Sequence, residues 1–208
     1  MIEAIIPLSE ISATPLEVAG FLMLGYICGS IPFGLVLGKI FGHGDIRAKG
    51  SGNIGATNML RVGGKKIALI TLLLDMFKGA FAVMLVKDYY VLLAPAVAMM
   101  AVAGHMFPIW LKFKGGKGVA TAIGCLIALS WVHGLMVIGI WLATAAVFRY
   151  SSLAALIAIG AAPVIFNIAF HGRYALPIVV IATLVYIRHF GNIQRLLAGE
   201  ESKIGKKA

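Results

Sequence analysis

Residues 119–147 read VATAIGCLIALSWVHGLMVIGIWLATAAV. The run is almost continuously apolar, and whether it crosses a membrane once or twice decides the topology of the chain. As one span, it would put Arg149 and all that follows on the side opposite Lys112, Lys114 and Lys117. As two spans turning near Val132-His133-Gly134, it brings Arg149 back to their side. Lys and Arg concentrate in the cytoplasmic loops of membrane proteins. The second reading gathers Arg47, Lys49, Arg61, Lys65, Lys66, Lys112, Lys114, Lys117, Arg149, Arg188, Arg195, Lys203, Lys206 and Lys207 on one side and leaves Lys87 and Arg173 on the other. Two spans are therefore expected, each of about 14 residues, or ~21 Å at ~1.5 Å per residue. That falls short of the ~30 Å hydrocarbon core. Local thinning of the bilayer, or burial inside the bundle, has to make up the difference.

Composition agrees with a membrane setting. The 208 residues are 61% hydrophobic and 12% charged, whereas soluble domains carry about twice that share of charge. The net charge of +10 suits cytoplasmic loops and the recruitment of anionic substrates or headgroups, not nucleic acid. Cys28 and Cys125 lie inside apolar runs and read as small buried hydrophobes. No Cys/His cluster has metal-ligand spacing, so neither a metal nor another cofactor is expected. A basic n-region is lacking, which argues against a cleaved signal peptide.

Outward from residues 119–147, further spans are expected near 18–41, 67–86 and 90–110 on one side, and near 153–170 and 175–190 on the other. The expectation is an all-α integral membrane protein, a bundle of about seven transmembrane helices, two of them short, with the N-terminus outside. Residues 1–208 form a single membrane domain in this reading. Residues 1–16, with Glu3, Glu10, Pro7 and Pro15, read equally well as an interfacial helix or a loose terminus. Residues 191–208 read as a cytoplasmic basic tail.

Three polar groups interrupt the apolar pattern. The first is Gly50-Ser51-Gly52-Asn53-Ile54-Gly55-Ala56-Thr57-Asn58, followed closely by Arg61. Glycine allows positive φ and close backbone approach, and successive N–H groups in such a turn form an anion nest. Gly52, Asn53, Thr57 and Asn58 are substrate-binding candidates, although the two asparagines also suit turn and helix caps. Ser51 is not in a Gly-x-Ser-x-Gly elbow and reads as a donor to phosphate before an acyl-accepting nucleophile. Arg61 can hold a phosphate through two bonds or simply snorkel. The second group is Lys114-Gly115-Gly116-Lys117-Gly118, just before a helix, where a free N-terminus favours anions. It is not a P-loop, since Gly118 follows Lys117. Gly115, Gly116 and Lys117 are candidates for phosphate binding; Lys112 and Lys114 read as loop charges. The third is Arg188-His189-Phe190-Gly191-Asn192, then Arg195 and Glu201. His189 and Asn192 share a helical face, and His189 is a candidate base or phosphate donor. Glu201 reads as the partner of a loop cation.

Asp75 and Lys78 lie mid-span, where charges are costly and usually paired. A helix-binding salt bridge is the main reading and a proton relay the alternative. His43, His105, His133 and His171 receive no chemistry.

Taken together, GSIPFG at 29–34, GSGNIGATNMLR at 50–61, DMFKG at 75–79, GHMFPIWLKFKGGKGVAT at 104–121 and RHFGNIQRLLAGEE at 188–201 resemble the bacterial acyl-phosphate:glycerol-3-phosphate acyltransferase (PlsY) family. The resemblance implies a seven-span enzyme that moves a fatty acyl group from acyl phosphate to the 1-hydroxyl of glycerol 3-phosphate. The product is lysophosphatidic acid, for phospholipid synthesis. It implies the inner membrane of a bacterial cell, an active site on the cytoplasmic face, and contact with the enzyme that supplies acyl phosphate. By position, Ser51 and Arg61 match the family's essential pair, Gly115, Gly116 and Lys117 its phosphate loop, and His189, Asn192 and Glu201 its third motif. The His-x-x-x-x-Asp signature of the other glycerol-phosphate acyltransferase class is absent. The competing reading is a transporter for a phosphorylated solute, suggested by Asp75, Lys78 and the glycine breaks. Within the enzyme reading, either His189 or the donor's own phosphate takes the hydroxyl proton, the second being preferred because no loop carboxylate is placed to orient His189.

Overall fold

The computed structural model describes residues 13–205, so the expectations for residues 1–12, and for Lys206 and Lys207, lie outside the described residues. The helices are α1 (Pro15–Gly29), α2 (Phe33–Ile40), α3 (Ala56–Val62), α4 (Gly64–Lys87), α5 (Ala94–Met106), α6 (Val119–Leu129), α7 (Trp131–Phe148), α8 (Ser151–Ala169), α9 (Ala175–Arg188) and α10 (Phe190–Leu197). No strand occurs among the described residues. Among the described residues, five stretches are long and apolar enough to cross a membrane, with Pro15–Ile40 counted as one. A sixth arises if α9 and α10, bent by 60° at His189, are taken together. Thr14 starts α1 with a capping box to Glu17, satisfying two of the N–H groups a helix start leaves free.

The decisive stretch does fold back on itself. It breaks at Ser130 into an 11-residue α6 and an 18-residue α7, so the turn comes earlier than Val132-His133-Gly134 and the halves are unequal. Ser130 is extended (φ −158°), and its hydroxyl meets His133 Nδ1 at 2.7 Å. Gly134 is not the turn residue. It is where α7 presses on α6, since a Cβ there would sit 2.6 Å from the Ile127 backbone. The short α6 is tolerated because it is interior: Thr121 through Leu126 are buried without a break. Its first turns lie beside the middle of α4, where Gly124 abuts Met76 O and Gly79 abuts Thr121 O. Small residues at such crossings let helices close up where no hydrophobic effect drives them together. α6 thus begins deep in the bundle, and the loop before it dips inward.

The return of Arg149 is visible in its contacts. Ile204 N–H donates to Arg149 O at 2.6 Å, and the Arg149 guanidinium donates to Ile204 O at 3.2 Å. Arg61 donates to Ser202 Oγ at 2.5 Å. The C-terminal segment therefore ties the start of α8 to the glycine-rich loop, at one end of the bundle. Lys87 reaches Ala128 O (3.2 Å) at the other end. The expected tail is also more ordered than a basic tail implies, since residues 190–197 form α10.

Candidate active site

The residues singled out between Ser51 and Arg61 fold as a stapled loop closing onto α3. Asn58, fully buried, is the staple. Its Oδ1 accepts the Ser51 N–H at 2.7 Å, and its Nδ2 donates to Ile46 O, Lys49 O and Asn53 O. Every polar atom of Asn58 is engaged within the loop, so it shapes the wall and has nothing left to offer a ligand. Gly52 likewise donates its N–H to Lys49 O and does not line the cavity. Asn53 Oδ1 accepts the Gly55 N–H at 3.0 Å, a local turn. This arrangement leaves Ser51, Asn53, Thr57 and Arg61 on the wall of a cavity of about 510 Å³.

The second loop is held differently from its expected role. Gly115 N–H donates to Met106 O and Gly116 N–H to His105 O, both at 3.0 Å. Their carbonyls accept from Arg188, at 2.7 Å for Gly115 and 3.1 Å for Gly116. With both N–H groups consumed, neither glycine is an anion donor. They are glycines because the end of α5 leaves no room: a Cβ on Gly116 would lie 2.1 Å from His105 Nε2, and one on Gly115 2.2 Å from His105 O. What the loop delivers to the cavity is Lys117 and the first turn of α6, from Gly118 to Ala120. Gly118 caps that helix at φ +80°, a conformation suited to glycine.

The third segment sits where α9 breaks into α10. His189 and Asn192 are buried and line the same cavity. His189 Nδ1 lies 2.8 Å from Val185 O, so Nδ1 carries the proton and Nε2 is an acceptor. Asn192 joins two elements, with Oδ1 accepting from the Lys117 ammonium and Nδ2 donating to Glu201 Oε1 at 2.6 Å. Glu201 also accepts from Ser152 Oγ (2.7 Å) and Arg195 Nε (2.8 Å). It is the partner of a cation, as expected, and fixes Asn192 as well. Burial raises the Glu201 carboxyl, but the bonds from Ser152, Asn192 and Arg195 outweigh it and hold the group below its ordinary range.

Arg61, Lys117 and Arg195 face this end of the cavity against Glu201, leaving an excess of positive charge for an anion. Burial draws the Lys117 ammonium down to about 8; Glu201 opposes, while Arg195, Arg188 and Arg61 add to the fall. Burial, reinforced by Lys117, takes His189 down to about 4, so it is neutral near pH 7.

The cavity changes character with depth. Leu72 and Met76 of α4, Ile123 of α6, Ile138, Trp141 and Leu142 of α7 and Ala155 of α8 make an apolar wall. Leu72 and Leu142 are among the exposed large hydrophobics, so this wall extends to the outer, lipid-facing surface. Sequence reasoning missed this wall, and it missed Ser151, Ser152 and Ser202. The serine pair Ser151-Ser152, after Arg149-Tyr150 in an otherwise apolar stretch, carried the same signal that picked out residues 50–58. Asp75 and His105 also reach the cavity, although neither was expected there. Asp75 pairs with Lys78 at 2.7 Å as the sequence suggested. Among the described residues no metal-binding group of His, Cys, Asp and Glu occurs.

Comparisons with known proteins match most of the chain. A family model described as Glycerol-3-phosphate acyltransferase matches residues 19–199. The glycerol-3-phosphate acyltransferase of Paramagnetospirillum magneticum is 55% identical over 197 residues, 92% of this chain and 96% of that protein. That of Rhodospirillum rubrum is 50% identical over 194 residues, 89% and 90% of the two. The crystal structure of PlsY, an integral membrane glycerol 3-phosphate acyltransferase, in its glycerol 3-phosphate form superposes with a TM-score of 0.87. It is 36% identical, and the match covers 91% of this chain and 96% of that one. Its lysophosphatidic acid form gives 0.85 at 35% identity.

Proposed function

The chain belongs to the glycerol-3-phosphate acyltransferase family, and we propose that its acyl donor is a fatty acyl phosphate and that the segments described above divide the work between two phosphate-bearing substrates. It is a multi-pass membrane enzyme that acylates glycerol 3-phosphate to lysophosphatidic acid for phospholipid synthesis. The observation that carries the proposal is the polarity of one cavity: a cationic end open to water and an apolar wall that extends to the lipid-facing surface. That shape suits an amphiphile with an anionic head.

Lys117, Arg61 and the α6 N-terminus take the phosphate of glycerol 3-phosphate, a charge-assisted arrangement. Ser51, with Thr57 and Asn53 beside it, holds the donor phosphate. The acyl chain lies against Trp141, Ile138 and Met76. The acceptor oxygen attacks the acyl carbon, the bond from that carbon to the phosphate oxygen breaks, and the hydroxyl proton leaves on inorganic phosphate. A mixed anhydride is already activated, so positioning and charge neutralisation do most of the work. His189 Nε2 accepts the hydrogen bond of the C1 hydroxyl as glycerol 3-phosphate binds and so orients it, and the hydrogen turns to the donor phosphate as the new bond to the acyl carbon forms. His189 is neutral, with its Nδ1–H held by a backbone carbonyl and no carboxylate behind it, whereas the donor phosphate gains basicity as its bond to the acyl carbon breaks, so the proton goes to the donor phosphate. The site opens to the cytoplasmic face of the inner membrane, within reach of the enzyme that supplies acyl phosphate.

The test is purified protein in lipid with palmitoyl phosphate and glycerol 3-phosphate, without metal or coenzyme A. Expected is one phosphate released per lysophosphatidic acid formed. Turnover with acyl-coenzyme A but not with the acyl phosphate would refute the donor assignment.

A further inference from the structure

A second, smaller cavity of about 230 Å³ shares no residue with the one described above. It is lined by Arg47 of the first loop and by Trp110, Leu111, Lys112 and Lys114 of the second. Arg47, Lys112 and Lys114 are all exposed, and no step above uses them. Asp45 engages Nε and Nη2 of Arg47 at 3.0 and 2.6 Å, which offsets one of the three positive charges. Neither lysine forms an ion pair among the described residues, so the cavity keeps an excess of positive charge. The turn that presents the lysines is strained. Lys112 and Phe113 both take positive φ, 51° and 60°, a conformation uncommon for a residue with a Cβ. Backbone N–H groups hold it there, Lys112 donating to Ile109 O, Phe113 to Pro108 O and Lys114 to Leu111 O, each at 3.0 Å. Strain of this kind persists where the surroundings enforce it, and it gathers at ligand sites.

The depth of the turn says what kind of anion it meets. Trp110 Nε1 donates to Ser30 O at 2.8 Å. Ser30 follows α1 inside the Pro15–Ile40 stretch, which is long and apolar enough to cross a membrane. The Trp110 ring is therefore anchored against a membrane-crossing segment and not above it. Ile109, Trp110 and Phe113 are 59%, 50% and 57% exposed, within the same short turn as the two lysines. Tryptophan gathers at the boundary between hydrocarbon and headgroups, and Lys and Arg placed there attract anionic lipid. A soluble anion would use the cations alone and leave the three large apolar side chains without a role. We propose that this cavity binds the phosphodiester headgroup of an anionic phospholipid. Arg47, Lys112 and Lys114 hold the phosphate, Trp110 and Leu111 lie against the glycerol backbone, and Ile109 and Phe113 enter the acyl region. The lipid bridges the loop that carries Ser51 and the loop that delivers Lys117, outside the reaction cavity.

The experiment uses the whole protein in neutral detergent, with phosphatidylglycerol and phosphatidylcholine of the same acyl chains. Native mass spectrometry counts the lipids retained, and thermal unfolding is read in parallel. The wild type should bind phosphatidylglycerol roughly tenfold or more tighter than phosphatidylcholine, through the attraction of its cations. It should also unfold at a higher temperature with phosphatidylglycerol, since a ligand of the folded state stabilises that state. Lys112→Gln/Lys114→Gln should erase both the preference and the added stability. Acyl transfer in neutral lipid should be unchanged in that variant, because neither lysine lines the reaction cavity. Lys117→Met, which alters the reaction cavity, should keep the lipid preference. Equal retention of the two lipids by the wild type would overturn the proposal, and that comparison needs no variant. A preference lost in Lys117→Met but kept in the double variant would put the lipid in the reaction cavity and overturn it as well. Displacement of phosphatidylglycerol by an equal concentration of inorganic phosphate would make the cavity a site for a soluble anion and refute the lipid assignment.

Discussion

In the empty site the Lys117 charge disappears as pH rises through about 8. A phosphate binds the protonated form, so the sign is fixed: KM for glycerol 3-phosphate should stay flat below that value and rise above it. At about pH 9 the rise should be roughly tenfold, one unit beyond the transition. Lys117→Arg keeps its charge and should flatten the profile, while Lys117→Met should lose on the order of 10- to 100-fold in kcat/KM below about pH 8, the worth of one charged hydrogen bond, with the gap to the parent closing above it. His189 behaves in the opposite way. Held neutral down to about 4, it should contribute no limb near pH 6.5. His189→Gln keeps an acceptor for the attacking hydroxyl and should cost less than about 100-fold in kcat, against up to ~10⁴-fold for removal of a general base. A near-total loss of turnover with unchanged KM would transfer the proton to His189. Ser51, Arg61, Lys117, His189 and Asn192 were legible because polar groups in an apolar chain are costly and need a reason. The roles of Asn58, Gly52, Gly115 and Gly116 were not. Which carbonyl an amide meets is decided by tertiary packing, and the loop pattern looks the same either way.

At the scale of elements, two features can be broken selectively. Asn58→Ala strands the Ser51 N–H and Asn53 O, each worth about 1–3 kcal/mol if left unsatisfied, and takes one of two bonds from Ile46 O and Lys49 O. The loop should open, with kcat/KM falling by roughly 100-fold or more and the melting temperature dropping too. The helix crossing tests the packing. A Cβ at Gly124 would lie 2.0 Å from Met76 O, whereas one at Gly139 meets nothing within 4 Å. Gly124→Ala should destabilise the protein by about 1–3 kcal/mol and disturb the start of α6. Gly139→Ala, on the exposed face of α7, should be neutral or stabilising by up to ~1 kcal/mol. Thermal unfolding in detergent reads both. The sequence-based boundary between α6 and α7 failed for a related reason. His133 and Gly134 look like turn residues, but Gly134 is a packing residue and Ser130 alone carries the break.

For the whole molecule, the argument from charge has a structural counterpart. Arg149, Ser202 and Arg61 lie at one end, while Lys87 reaches the α6–α7 turn at the other. That return depends on α6 and α7 being separate helices, and it could be read from the distribution of Lys and Arg before any contact was known. The depth at which α6 begins could not, because it depends on the glycine crossing with α4 and not on the hydropathy of α6. The positive-inside rule predicts that the end carrying Arg61 and Arg149 faces the cytoplasm. In a background with Cys28 and Cys125 replaced by alanine, single cysteines at Lys65, Arg149 and Lys203 should react with a membrane-impermeant thiol reagent only in inverted vesicles. Cysteines at Tyr89 and Arg173 should react only in right-side-out ones. All five positions are exposed, so a missing reaction reports sidedness and not burial. If Arg149 and Lys65 label from opposite sides, the chain between them crosses the membrane an odd number of times, and the site could not draw on both the first loop and the start of α8.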